Sequence, residues 1–160
     1  MPYGHHRLRI GRASAPGQIY LITFCTQGRR RLFEAPHVTR TAVSILSDAA
    51  YWRDATCWAW VLMPDHWHGL IQLQAEAGLS KVVGRLKGGS AYRLGRAFPR
   101  LRPVWQDAFH DHALRREEDE AACVRYLLDN PVRAGLAASA EEYPYRGGPW
   151  ADACLHADAR

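Results

Sequence analysis

Residues 60–73 read Trp60-Val-Leu-Met-Pro-Asp-His-Trp-His-Gly-Leu-Ile-Gln-Leu73. Two apolar, β-prone runs meet at Pro64-Asp65, which predicts a hairpin of two antiparallel strands, Thr56–Met63 and His66–Leu73, joined by a tight turn. Strand side chains alternate between faces, so His66 and His68 share one face with Cβ atoms about 7 Å apart, while Trp67 turns toward the core. That spacing lets two imidazoles approach one divalent cation.

Reading outward, Gln18–Thr26 is rich in β-branched and aromatic residues and predicts a strand, followed by a basic turn at Gly28. Pro36 opens a helix running to about Arg53, with Val38, Ala42, Ile45, Leu46 and Ala49 on one side. After the hairpin, Ser80 is placed to cap a helix whose core stripe is Val82, Val83 and Leu86, weakened by Gly88 and Gly89. Val104 to about Leu114 reads as extended. The acids Glu117–Glu120 mark the start of a last helix, which Pro131 ends at Asn130.

The order β-α-β-β-α-β plus one helix is a ferredoxin-like α+β arrangement, an antiparallel sheet with helices on one face and the other open. Three segments are expected: a basic leader over 1–17, a folded domain over 18–136 and an irregular C-terminal tail over 137–160.

The chain has 160 residues, enough for one domain with a proper core, and 48% of them are hydrophobic. No apolar run approaches the roughly 20 residues that cross a bilayer. The first residues lack the apolar centre of a secretory signal, so a cytoplasmic, nucleoid-associated setting is expected. The four cysteines form no CxxC and read as reduced thiols.

Net charge is +5, and it is segregated. Arg7, Arg9, Arg12, Arg29, Arg30, Arg31 and Arg40 face the single acid Glu34 in the first forty residues. Lys81, Arg85, Lys87, Arg93, Arg96, Arg100 and Arg102 form a second basic stretch. A polyanion such as nucleic acid suits this pattern, as does a merely solvated basic surface.

In the last helix Tyr126 and Asn130 stand at i and i+4 on one side. A helix crossing the strand pair would bring a phenol nucleophile one turn from a third, oxygen ligand. Two imidazoles and such an oxygen suit Mg²⁺ or Mn²⁺, which would polarise a phosphodiester. Taken singly, each feature has a plain structural reading: a strand HxH, a tyrosine at a core edge, an Asn-Pro helix stop. His110 and His112 form a second HxH with strand parity but no matching tyrosine and asparagine.

The two distant blocks acquire more meaning together. Met63-Pro-Asp-His-Trp-His-Gly-Leu-Ile71 resembles the MPNHxHxLI signature of REP-associated tyrosine transposases, a branch of the single-tyrosine HUH transposases. Tyr126-Leu-Leu-Asp-Asn-Pro-Val-Arg-Ala-Gly-Leu136 is similar to that family's YIxxNPVRAGL block, and the resemblance extends over roughly residues 18–146. It implies that His66 and His68 hold the metal, with Asn130 in the third ligand position. It further implies that Tyr126 attacks single-stranded DNA, giving a 5′-phosphotyrosine link and a free 3′-hydroxyl. The expected substrate is a hairpin-forming extragenic palindrome, and the protein a monomer or homodimer.

Arg29, Arg30, Arg31, Arg85, Lys87 and Arg133 are the expected DNA contacts. Asp65 departs from the family's usual Asn and is expected on the face opposite the imidazoles. The competing readings are a catalytically silent nucleic-acid-binding module of the same fold, and a metal-dependent phosphodiesterase using activated water.

Overall fold

The computed structural model describes residues 14–74, 76–115 and 118–157. Its strands are β1 (Ile19–Cys25), β2 (Ala55–Met63), β3 (His66–Leu73), β4 (His110–Ala113) and β5 (Arg146–Gly147). Its helices are α1 (Pro36–Leu46), α2 (Leu79–Ala97), α3 (Glu120–Leu128), α4 (Asn130–Arg133) and α5 (Pro149–Ala157). The sheet runs β4-β1-β3-β2-β5, all pairs antiparallel, so the α+β class and the central hairpin stand as read from sequence.

Met63 pairs with His66 across Pro64-Asp65, leaving a two-residue loop. This turn is tied down from several sides. The buried Thr26 donates its hydroxyl to the carbonyls of Arg30 (2.6 Å) and Asp65 (3.1 Å), and the Phe33 amide donates to Pro64 O (3.0 Å).

Alternation divides the sheet into two working faces. Trp67, Ile71 and Leu73 join Phe24, Leu62 and the stripes of α1 and α2 in one core. Leu70, Ala59, Val61 and Met63 join Val124, Leu127 and Leu128 of α3 in a second core, to which Tyr143 and Ala151 contribute. The face carrying His66 and His68 is therefore half roofed by α3 and α5 rather than open. At 1% exposure, Trp67 is stacked on Phe24 with ring centroids 5.1 Å apart.

Several boundaries differ from the sequence reading. α1 ends at Leu46, and a separate helical turn, Ala49–Tyr51, follows with the Asp48 side chain capping it. α2 begins one residue before Ser80, after Gly78 with φ 77°, and its first amide, Leu79 N–H, donates to the Ser14 hydroxyl at 3.0 Å. It then runs unbroken through Gly88 and Gly89, because Val82, Val83, Leu86 and Leu94 anchor it to the sheet.

The extended segment from Val104 is strand only at His110–Ala113, apart from a single bridge between Trp105 and Thr26. Residues 137–160, expected to be irregular, carry β5 and α5 among those described. Trp150 of α5 stacks on Trp58 at 4.6 Å, where a bulge in β2 turns that side chain outward. Tyr143 donates its hydroxyl to Leu62 O at 2.7 Å, fastening this segment to β2.

Candidate active site

β3 and its neighbour β1 build the imidazole pair. Cys25 pairs with His66 and Thr23 with His68, so these four side chains lie on the face shared with α3. The two rings have centroids 6.5 Å apart and are inclined at 70°.

Both rings are held at Nδ1. His66 Nδ1 donates to Asp65 Oδ1 at 2.7 Å, and Asp65 Oδ2 pairs with Arg29 Nε at 3.0 Å. His68 Nδ1 shares a hydrogen bond with the Thr23 hydroxyl at 2.5 Å. Asp65 is thus a direct partner of the His66 imidazole, not a residue of the opposite face. Strand alternation does not extend into a two-residue turn, where the side chain is free to swing back onto its neighbour.

Asp65 accepts only, so His66 carries its neutral proton on Nδ1 and keeps its Nε2 lone pair. A carboxylate or hydroxyl behind an imidazole is the usual arrangement behind a ligating histidine. Burial pushes the His66 pKa below its ordinary value against the opposing pull of Asp65. His68 is pushed to about 4, by burial first and then by the charges of His66 and Arg133. Both rings are neutral at pH 7, as metal ligation requires.

Among the described residues no group of three or more His, Cys, Asp and Glu side chains could hold a metal ion. A cation here would rest on the two imidazoles with a neutral oxygen, water or phosphate, a donor set that suits Mg²⁺ or Mn²⁺ better than a closed zinc site.

α3 buries Val124, Leu127 and Leu128 and turns Tyr126 outward, 56% exposed. Asp129 closes α3, and Pro131 sits in the first turn of α4, where its missing N–H costs nothing. This break lets Arg133 fold back. It donates to Tyr126 O at 2.9 Å, and its guanidinium carbon lies 4.2 Å from the centre of the Tyr126 ring. Arg133 is also, after burial and His66, one of the charges that depress His68. Asn130 donates its amide to Leu127 O at 3.0 Å, which leaves its side-chain oxygen available.

The expected DNA contacts divide into two groups. Arg29, Arg30, Arg31 and Arg133 are exposed. Arg29 takes φ 56°, a conformation that costs a non-glycine residue about 1–2 kcal/mol and here accompanies its pairing with Asp65. Arg30 braces the carbonyls of Gln27, Leu101 and Pro103, and Arg31 pairs with Glu34.

The second group faces inward. Arg85 binds Asp54 at 2.8 Å, beside Ala55, the residue that pairs with Leu73 at the end of the hairpin remote from His66. Lys87 is buried and donates to the carbonyls of Gln106, Asp107 and Ala108 at 2.6–3.0 Å. The second HxH does not form a comparable pair, since His112 bonds Glu118 at 2.8 Å. Tyr143 is buried, and burial raises its phenol to about 12, which removes it as a nucleophile.

Sequence reasoning missed Thr23. Its only signal is a hydroxyl inside the apolar run Ile22-Thr23-Phe24, and its partner is defined by the β1–β3 register.

The fold is one found in DNA transposases. The family described as IS200-like transposases matches residues 15–128, and the chain belongs to that family. The chain is similar to the REP-associated tyrosine transposase of Escherichia coli K12, 28% identical over 88 residues, which are 54% of this chain and 50% of that relative. A relative from Haemophilus influenzae is 24% identical over 139 residues, covering 81% of this chain and 78% of its own length. Among solved structures, a REP-associated tyrosine transposase bound to a REP hairpin superposes with a TM-score of 0.68 at 23% identity. That match covers 90% of this chain and 82% of the other. No helix among the described residues is long and apolar enough to cross a membrane.

Proposed function

We propose that the chain cleaves and rejoins single-stranded or hairpin DNA of the repetitive extragenic palindrome type, with Tyr126 as nucleophile. The observation that carries this reading is the neutral, Nδ1-anchored pair His66 and His68, with an exposed Tyr126, under the Arg133 guanidinium, on the helix that packs on their face of the sheet. Membership of the transposase family and the hairpin bound to a structural relative support it.

The Tyr126 phenol loses its proton to solvent, and its oxygen attacks a backbone phosphorus. A P–O(Tyr) bond forms, the bond to the 3′ oxygen breaks, and that oxygen leaves as a 3′-hydroxyl after taking a proton. The phosphotyrosine ester preserves the bond energy, and a second 3′-hydroxyl reverses the step to join strands.

His66 and His68, with the Asn130 side-chain oxygen, would hold Mg²⁺ or Mn²⁺, which supplies Lewis-acid stabilisation of charge on the phosphate. Arg133 would meet that charge through its guanidinium, and Arg29, Arg30 and Arg31 would supply a basic rim beside the turn. Arg85 and Lys87 act within the fold. The setting is the cytoplasm, on chromosomal DNA.

The test is incubation of purified protein with labelled palindromic hairpins and Mn²⁺, followed by a denaturing gel. A denaturation-resistant adduct is expected, and it should vanish in His66→Ala while hairpin binding falls only slightly. Cleavage without an adduct would indicate a water-using phosphodiesterase; binding without cleavage would indicate a silent module.

A further inference from the structure

The side of the sheet turned away from His66 and His68 carries a second concentration of positive charge. α1 and α2 enclose an open cleft of about 730 Å³, lined chiefly by Arg40, Thr41 and Ser44 from α1 and by Tyr92, Arg93 and Arg96 from α2. No acid lines it. Of the three arginines the nearby Asp48 pairs with Arg93, at 2.7 Å, so Arg40 and Arg96 leave the cleft positively charged.

Tyr92 is 63% exposed, and with Tyr126 it is one of the two most exposed large aromatic side chains described. The two resemble each other further. Each carries an arginine over its ring, Arg133 at 4.2 Å on Tyr126 and Arg96 at 5.9 Å on Tyr92. Arg96 also donates to the Tyr92 hydroxyl at 3.4 Å.

An aromatic face standing in solvent among guanidinium groups matches one chemical unit closely: an unpaired base with its phosphate. The ring stacks on the base, and the cations meet the backbone. An acidic peptide would satisfy the charge but would leave the Tyr92 face unused.

We infer that the α1–α2 cleft is a second subsite for single-stranded nucleic acid, with a base on Tyr92 and phosphates on Arg40 and Arg96. The inference rests on the proposed DNA-handling function and adds a second contact region on the far face. There it would hold the strand that flanks the cleaved segment.

The test uses the full chain in EDTA, so that nothing depends on a metal or on Tyr126 chemistry. Oligothymidine carrying 5-iodouracil is irradiated on the protein, and cross-linked peptides are mapped by mass spectrometry. Attachment at Tyr92 is expected. Affinity for the same oligonucleotide should fall about tenfold in Tyr92→Ala, in keeping with the loss of one stacked base. Arg40→Glu should lower the slope of log affinity against log salt by about 0.7, the share of one single-strand phosphate contact.

Both residues are exposed, and thermal melts check that each variant folds; if one does not, the other carries the test. Adduct formation at saturating hairpin should persist in both. No cross-link at Tyr92, together with affinities within twofold of the parent, would overturn the assignment. So would a polyglutamate peptide that binds the cleft as tightly as oligothymidine. Failure of the tyrosine mechanism shows up separately, as loss of the metal-dependent adduct with the EDTA result unchanged.

Discussion

Asp65 and Gly69 frame the imidazole pair, and each performs a task that follows from its position. Asp65 fixes the His66 tautomer through one oxygen and binds Arg29 through the other. Asp65→Ala should therefore weaken Mn²⁺ binding, measured by calorimetry, by about tenfold or more, the usual effect of removing a histidine's supporting partner. Asp65→Asn keeps an acceptor and should lose less. Equal affinity in all three proteins would mean that the carboxylate does not orient a ligand.

Gly69 lies under the Trp67 ring: a Cβ built there would sit 2.2 Å from that ring, which Phe24 and Trp52 confine. Gly69→Ala should cost about 1–3 kcal/mol, read from urea denaturation, because the indole has little room to retreat. A neutral substitution would show that the ring moves freely. Alternation sufficed to place Trp67 in the core and the histidines opposite it. Asp65 escaped that logic because it sits outside any strand.

Among the elements, the hairpin was the most legible, since apolar runs and the Pro-Asp turn agree on one register. β3 begins and ends at the residues expected, His66 and Leu73. The last thirty residues were opaque for a physical reason. β5 is two residues long, and α5 declares its packing through Trp150 meeting a bulged Trp58, a contact with no periodic signature.

Tyr143 shows what that segment contributes to the fold. Its phenol is buried and raised to about 12 from an ordinary value of 10. A raised folded-state value means stability that is complete below pH 10 and drains away as pH climbs through 12. The protein should lose on the order of 2 kcal/mol across that window through this group. Tyr143→Phe should start less stable at pH 8 and show a shallower alkaline decline in denaturant titrations. Parallel curves would refute the linkage.

For the whole molecule, the two cores explain how one sheet can serve a site. The face packed by α1 and α2 makes the hairpin rigid, and the face under α3 and α5 leaves room for His66 and His68. The sequence motifs identified these participants in two distant blocks. What they could not supply was the outward set of Tyr126, which arises because Val124, Leu127 and Leu128 claim the inner side of a nine-residue helix. The phenol is therefore open to solvent, with the Arg133 guanidinium over its ring.

Mass-spectrometric mapping of the protein–DNA adduct, after nuclease trimming, tests the account most directly. A nucleotide should be found esterified to Tyr126, and Tyr126→Phe should bind hairpin DNA normally while yielding no adduct. A nucleotide on any other residue, or an undiminished adduct in that variant, would contradict it.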